Sequence, residues 1–375
     1  MVPFTAPAPS PLRVGLVGLS ARGGWAPHSH LPALTRLKGY ELRALAASGE
    51  ASARAAGEKY GVPLAFGSAA ELVRSDEVDL VVVSVRVPLH REVILAALGA
   101  GKAVLSEWPL GNGLTEAEEL AAAADRAGVR TFAGLQARSA PAVRFLRDLV
   151  ADGYVGEVLS SSVVASGRRW GPTFEPSGEY LLDRRNGGTM LTIPFGHTID
   201  AVALVLGEFT EVSATLATRR PVVREEGTGR PAAMTVDDQI AVSGRVGSGA
   251  VASLHFRAGL SRGTDFHWEI NGTEGDVVVS GGSGHLQQAS LTLRGGRGTD
   301  QSLTELPVPA RYFDVPEIAE LRGLPAYNVA AQYARVRADL TEGTAHAPDF
   351  AHAARRQRLL DAIERSAATG RRVTL

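Results

Sequence analysis

The chain has 375 residues, 45% of them hydrophobic, with 39 basic against 40 acidic side chains. Such a length is the span of two domains or one very large one. Charge this evenly balanced leaves no basic footprint for nucleic acid and no basic run for a membrane surface, and the absence of cysteine removes disulfides, thiolate zinc sites and cysteine nucleophiles.

Residues 1–11, MVPFTAPAPSP, lack the charged and apolar regions of a secretion signal and read as a disordered tail. No apolar run approaches the roughly 20 residues of a bilayer span, so a cytoplasmic location is expected. Lysine occurs only at Lys38, Lys59 and Lys102. None beyond position 102 can act as a base or phosphate clamp.

Arg13–Gly18 is a short apolar run ending in glycine, the pattern of a buried first strand of a parallel sheet. Gly15, Gly18 and Gly23 punctuate the turn into a helix bearing Leu31 and Leu34, a degenerate dinucleotide fingerprint with Ser20 in place of the middle glycine. The loop Gly15–Trp25, with Ser20, Ala21 and Arg22, is expected to wrap a pyrophosphate at the helix N-terminus.

Strands are expected at Glu41–Ser48, Val78–Val87, Ala103–Glu107 and Thr131–Gln136, alternating with helices at Glu50–Lys59, Glu92–Ala100 and Thr115–Ala127. That alternation predicts a doubly wound parallel sheet over residues 12–137. The order then changes. A helix over Pro141–Asp152 precedes strands at Glu157–Ser166, Phe209–Leu216, Asp238–Arg245, Val251–Arg257, Phe266–Gly272, Gly275–Ser280 and Ala289–Leu293, interrupted by one helix over Thr189–Leu206. Turns such as Asn271–Asp276 predict a large, mostly antiparallel open sheet in an α+β domain over 138–348. Gly281–Thr299 reads as a hairpin tip. Helices over Pro325–Leu340 and Asp349–Thr369 close the chain, with 349–375 packing back on the domain junction.

Ligands of open parallel sheets bind at the carboxyl ends of the strands, where Ser84–His90 (SVRVPLH) and Ser106–Pro109 (SEWP) fall. With Val14–Leu19, Leu135–Ala140 and Asn186–Asp200 (NGGTMLTIPFGHTID), in this order, they make the chain resemble the Gfo/Idh/MocA family of nicotinamide-dependent, mostly sugar-acting oxidoreductases. Within it the likeness is to the galactose-regulon repressor branch, whose members bind a dinucleotide without catalysis. The resemblance covers about residues 12–370 and implies a Rossmann domain followed by an α+β domain whose sheet often mediates oligomers.

The family places a base lysine in a Glu-Lys-Pro motif and a carboxylate and imidazole in an Asp-x-x-x-His pattern. Here the first motif is Glu107-Trp108-Pro109, and an indole cannot accept a proton. In the second, His197 remains while Ile193 falls where the aspartate would. His197 is then either the acid or base at a substrate hydroxyl or a histidine bridging polar groups beside the nicotinamide. Tyr180, Asp183 and Arg184 either join that cleft or form a solvated turn. Arg168, Arg169 and Trp170 either suit a sugar or are surface residues. His255 and His267 read as sheet residues.

For the cofactor, Ser48 follows the second strand where an acidic residue would hold a ribose hydroxyl, with Glu50 two positions late. Ser48 and Arg22 suit a 2′-phosphate, so NADP is preferred over NAD; Arg22 stacking on adenine would fit either. Glu107 is expected at the nicotinamide ribose or amide. Val85, Val87, Pro88 and His90 are expected to wall the nicotinamide pocket, and Trp108, Gln136 and Arg138 to point into the cleft. The function expected is an NAD(P)-dependent oxidoreductase of a sugar, polyol or glycoside-like substrate, forming a dimer or tetramer without metal, nucleic acid or membrane. The alternatives are a dinucleotide-binding sensor, and non-redox or redox-neutral chemistry such as elimination or glycoside cleavage that uses the bound nucleotide.

Overall fold

The computed structural model describes residues 10–375, so the tail expected over 1–11 lies almost wholly outside the described residues. Its first layer is a parallel sheet of β1 (Leu12–Val17), β2 (Tyr40–Ala46), β3 (Leu64–Phe66), β4 (Leu80–Val83), β5 (Ala103–Glu107) and β6 (Thr131–Gly134). The strand order is β3-β2-β1-β4-β5-β6. The chain leaves β1 in one direction to build β2 and β3 and returns to β4 on its other side. That reversal leaves a crevice between the carboxyl ends of β1 and β4.

Residues Leu80 to Val83 are wholly buried, as both-face burial demands of a central parallel strand. The strand stops at Val83 rather than Val87, because Val87–Leu89 turn as a 3-10 segment opening on Pro88. Likewise β6 ends at Gly134, and Gln136–Ser139 form a 3-10 turn. The intervening helices are α1 (Trp25–His28), α2 (His30–Arg36), α3 (Glu50–Tyr60), α4 (Ala69–Val73), α5 (His90–Gly99) and α6 (Leu114–Ala127). One helix was expected where α1 and α2 stand. Pro32 has no N–H to donate to the His28 carbonyl, so the helix breaks at Ser29. Neither β3 nor α4 was anticipated; both are too short for a periodic signal.

The second layer follows α7 (Pro141–Ala151). It comprises β7 (Val158–Gly167), β8 (Thr173–Phe174), α8 (Gly196–Leu206), β9 (Phe209–Ala217), β10 (Val222–Glu225), β11 (Pro231–Ala233), β12 (Gln239–Val246), β13 (Ala250–Ala258), β14 (Phe266–Gly272), β15 (Gly275–Gly281), β16 (Leu291–Arg297) and β17 (Thr304–Glu305). The chain ends with α9 (Pro325–Thr341), α10 (Phe350–Thr369) and β18 (Val373–Thr374). Nine strands form one sheet, ordered β17-β16-β15-β14-β7-β13-β12-β9-β18, and only β7 and β13 run parallel within it. Strand β16 occupies part of the stretch expected as a hairpin tip.

Burial alternates strictly along most of β13, so this sheet has one packed and one open face. The packed face carries Phe256 edge-on to Phe195 and Trp268, whose Nε1 donates to Ser161 Oγ at 2.9 Å. Helix α9 returns to the first layer: Tyr333 and Val336 are buried with Leu16, Leu34 and Tyr40, and Tyr40 OH donates to the Tyr333 carbonyl at 2.7 Å.

An ion network pins α8 to the helices around it. Asp200 is wholly buried, and its Oδ1 meets Arg138 at 3.1 Å, His352 Nε2 at 2.8 Å and Arg356 Nε at 3.2 Å. Arg356 also forks onto Glu208 at 2.9 and 3.0 Å. Burial pushes the Asp200 carboxyl up, but Arg138, the His352 bond and Arg356 outweigh it and hold it below the ordinary range. Replacing Asp200 with Ala strands buried Arg356 with one partner, which is expected to cost about 3 kcal/mol or more in urea unfolding. Arg91→Ala, which removes only an exposed pair with Glu119, is the control expected to change little.

Candidate functional site

The loop after β1 lies over the crevice. Gly18 has φ +104°, and a Cβ there would lie 2.2 Å from the Ser84 carbonyl oxygen, so only glycine lets β1 and β4 approach this closely. Gly23 and Gly24 also have positive φ, with nothing within 4 Å of a Cβ position. They leave the backbone open to a ligand. Gly15 is a correction. It lies inside β1, where a Cβ would meet Leu72 at 2.6 Å and Val78 at 2.9 Å, so it serves the packing of α4 beneath the sheet.

Ser20 Oγ accepts from Arg22 N at 3.1 Å, Tyr60 OH donates to the Ser20 carbonyl at 3.0 Å and Lys59 Nζ to the Ala21 carbonyl at 2.7 Å. Helix α3 thus braces the loop, through two residues that sequence reasoning did not assign. Trp25 Nε1 is buried without a hydrogen-bond partner among the described residues. The helix at this point is four residues long, so its macrodipole is small.

At the end of β2, Ser48 is exposed. Glu50 folds back toward Gly67, whose Cβ position lies 2.9 Å from its Cγ. Ser48 Oγ lies 3.4 Å from Ser52 Oγ, and Arg22 on the loop after β1 is exposed.

His90 is a second correction: it does not wall a pocket. It is buried with Nδ1 3.0 Å from the Pro109 carbonyl and Nε2 3.0 Å from the Val85 carbonyl, tying the turn after β4 to the segment after β5. Burial pushes its pKa below the ordinary value. Val85 lies against Gly18, Val87 is buried against Gly187, and Pro88 is exposed.

Gln136 Nε2 donates to both oxygens of Glu107, at 2.8 and 3.0 Å. His30 Nε2 lies 3.1 Å from Glu107 Oε1 in poor alignment, and its Nδ1 lies 2.8 Å from Tyr333 OH. Because a carboxylate only accepts, the proton belongs on Nε2, and Nδ1 accepts from the tyrosine. Glu107 is therefore fixed from two sides. His30, separated from Tyr333 by 303 positions, carried no local signal.

Trp108 is buried, and its Nε1 donates to the Thr192 carbonyl at 2.6 Å. Its ring lies against Gly196, where a Cβ would be 2.7 Å from Nε1. The indole is spent on the second layer, which corrects its expected role as a substrate ligand. The acceptor belongs to a π-helical turn, Leu191–Phe195, in which Phe195 N bonds to the Met190 carbonyl because Pro194 has no N–H to offer. The wider turn shifts the helical phase, so counting four back from His197 to Ile193 misplaces the residue one turn above; Thr192, five back, is the nearer match. Its hydroxyl donates to the Gly187 carbonyl at 2.6 Å.

His197 is 3% exposed, and its Nδ1 has no partner among the described residues. Burial pushes its pKa down to about 3; nearby Asp200 opposes this and His285 adds to it. Missed in the sequence, His285 stacks on Trp170 with ring planes 11° apart, and burial, then Arg169, push its pKa down to about 4. Trp170 is 3% exposed, and its Nε1 donates to the Leu181 carbonyl at 2.9 Å, so the indole N–H is spent within the protein. Beside Ile193, Tyr180 packs under the Arg86 guanidinium, 4.4 Å from its ring.

Three expected residues fall elsewhere. Asp183 caps Arg185 and binds its guanidinium at 2.6 Å. Arg184 faces Asp237 and Glu364. Arg138 is held by Asp200. Among the described residues no three His, Cys, Asp or Glu side chains converge to hold a metal, and no helix is long and apolar enough to cross a membrane.

A Rossmann sheet with a glycine loop at its reversal point, joined to an open antiparallel sheet, defines the class as a dinucleotide-binding oxidoreductase fold. Residues 12–135 match the model of an oxidoreductase family with an NAD-binding Rossmann fold, and residues 141–281 match the Gal80p C-terminal domain. The chain is 32% identical over 284 residues to the dehydrogenase aclE of Aspergillus oryzae, covering 72% of this chain and 77% of that one. It is 29% identical over 351 residues to the galactose/lactose metabolism regulatory protein GAL80 of Saccharomyces cerevisiae, covering 86% and 80%. A crystal structure of a super-repressor mutant of Gal80p from that yeast superposes with a TM-score of 0.87 at 24% identity, over 97% of this chain and 98% of that one. The chain belongs to the Gfo/Idh/MocA oxidoreductase family, which holds both dehydrogenases and Gal80 regulators.

The lowered histidines predict an acid-sensitive fold. A histidine titrating near 6.5 when unfolded and near 3 when folded takes up its proton only on unfolding, so stability is lost as pH falls from 6.5 toward 3. Between pH 7 and 5, His197 is expected to account for about 2 kcal/mol of lost stability. Urea unfolding of His197→Gln across that range should show a shallower loss than the parent by about that amount.

Proposed function

We propose that the chain binds a nicotinamide dinucleotide in the β1–β4 crevice and senses a carbohydrate-like ligand beside it without transferring hydride. The observation that carries this reading is the Trp108 indole N–H bonded to the Thr192 carbonyl, at the position where the family's motif has its lysine. His197 is then the imidazole left, and at a pKa of about 3 it is neutral at pH 7. It cannot donate a proton there, and accepting one is uphill by on the order of 5 kcal/mol.

The crevice suits the nucleotide. Gly18 closes the turn, and Gly23 and Gly24 leave room above it. Exposed Arg22, with Lys59 braced behind it on Ala21, supports NADP over NAD. Exposed Arg169 and half-buried His285 support a hydroxyl-rich ligand. The name of the yeast relative, which ties it to galactose and lactose metabolism, supports the same class.

A second reading, oxidoreduction of a sugar, polyol or glycoside-like substrate, is favoured by the free Nδ1 of His197 and by the dehydrogenase relative. For self-association, the open sheet face is a carpet of Ser160, Ser162, Ser243 and Ser253 with Val164 and Val251 39% and 58% exposed. It supports a dimer or tetramer, which sedimentation equilibrium would register.

Titration calorimetry with NADPH and NADH, followed by absorbance of the reduced cofactor over a sugar and polyol panel, tests the function. Binding without any sugar-dependent absorbance change is expected, with Arg22→Ala weakening NADPH about tenfold and NADH little. Turnover that disappears in His197→Gln while binding persists would establish the second reading.

A further inference from the structure

Glu107 ends β5, and its side chain is 13% exposed. Its hydrogen-bonding capacity is met by neutral groups: the Gln136 amide on both oxygens and the His30 imidazole beside one. Its charge is not met. Among the described residues His30 is its one ion-pair partner, and only if that ring is protonated. Tyr333 keeps the ring neutral. The tyrosine is wholly buried, and the one partner of its hydroxyl among the described residues is His30 Nδ1, at 2.8 Å. A buried hydroxyl has to donate, so Nδ1 accepts and carries no proton.

The fold makes room for this arrangement. A Cβ on Gly134 would lie 2.9 Å from Glu107 Oε1 and 2.9 Å from its Cα, so the neighbouring strand leaves space where the carboxylate sits. A largely buried charge without an opposite charge is costly, and such groups concentrate where a protein meets a ligand. The place agrees with that. Strand β5 lies beside β4, which flanks the crevice, and the next residue, Trp108, lies against Gly196, one position before His197. His30 stands on α2, which the glycine loop feeds through α1.

Given the nucleotide site proposed above, we infer that Glu107, with His30 and Tyr333 as positioning residues, makes the chain selective for the oxidised nicotinamide dinucleotide. The oxidised ring carries a positive charge and the reduced ring does not, while the rest of the nucleotide is the same in both. An uncompensated carboxylate at the nicotinamide end of the crevice therefore favours one form only. It acts through space in a poorly screened interior, so the selectivity needs no direct bond to the ligand. The sensor then fills with nucleotide according to the oxidised share of the pool.

Calorimetric titration of the full chain with NADP+ and with NADPH at pH 7 tests this. The parent is expected to bind NADP+ about tenfold more tightly. Glu107→Gln keeps the shape and removes the charge, and is expected to bring the two affinities within about twofold. Tyr333→Phe takes away the donor that holds Nδ1 as an acceptor, so the imidazole can gain a second proton and offset the carboxylate; the preference is expected to fall to about threefold. The quantity read is a ratio of two affinities on one protein, which a smaller folded fraction leaves unchanged. Equal affinities in the parent, or a preference that survives Glu107→Gln, would overturn the inference and leave the nucleotide site standing. A full preference in Tyr333→Phe would contradict the positioning role, and binding of neither nucleotide would remove the site and the inference together.

Discussion

The bond from the Trp108 indole to the Thr192 carbonyl ties the two layers together. It joins the end of β5 in the nucleotide-binding layer to the π-turn at the head of α8 in the other. The junction is tight because Gly196 has no side chain to hold the ring away. A lysine here would reach outward as a mobile donor and base. An indole, buried and bonded, is a strut. The Asp200 network anchors the same helix from the far side, so α8 and the residues it carries are held between two fixed points.

Around that strut the polar groups are sorted into structural and available ones. Glu107 is taken by Gln136 and His30, and His90 by two carbonyls. What is left without a partner is Trp25 Nε1 under the glycine loop and Nδ1 of buried His197, with His285, Arg169 and Trp170 nearby. In the proposed function the first group holds a dinucleotide. The second offers neutral hydrogen-bonding rings rather than proton donors at neutral pH.

The layered architecture was legible because it rests on local signals. Continuous apolar runs such as Leu80–Val83 and strict alternation such as Ala250–Ala258 leave few other structures open, and Gly18 announced the turn at the reversal of strand order. Gly15 misled because a glycine needed for close packing looks the same in sequence as one needed for a phosphate. The π-turn was illegible: one added residue shifts every later position by about 100° on a helix, and only the missing N–H of Pro194 hints at it. Lys59, His30 and His285 reach the site from distant segments, so no local motif could place them. Asp183 and Arg138 sit near the cleft in the chain, yet each found a closer opposite charge.

The most direct measurement uses the indole itself. The chain has four tryptophans, so 15N-indole labelling gives four signals, with that of Trp108 assigned by its loss in Trp108→Phe. The account predicts that the Trp108 indole proton exchanges slowly with solvent and keeps its shift when sugars are added to the NADPH-bound chain, while the Trp25 signal moves on nucleotide binding. Rapid exchange at Trp108, or a shift that follows sugar concentration, would contradict it.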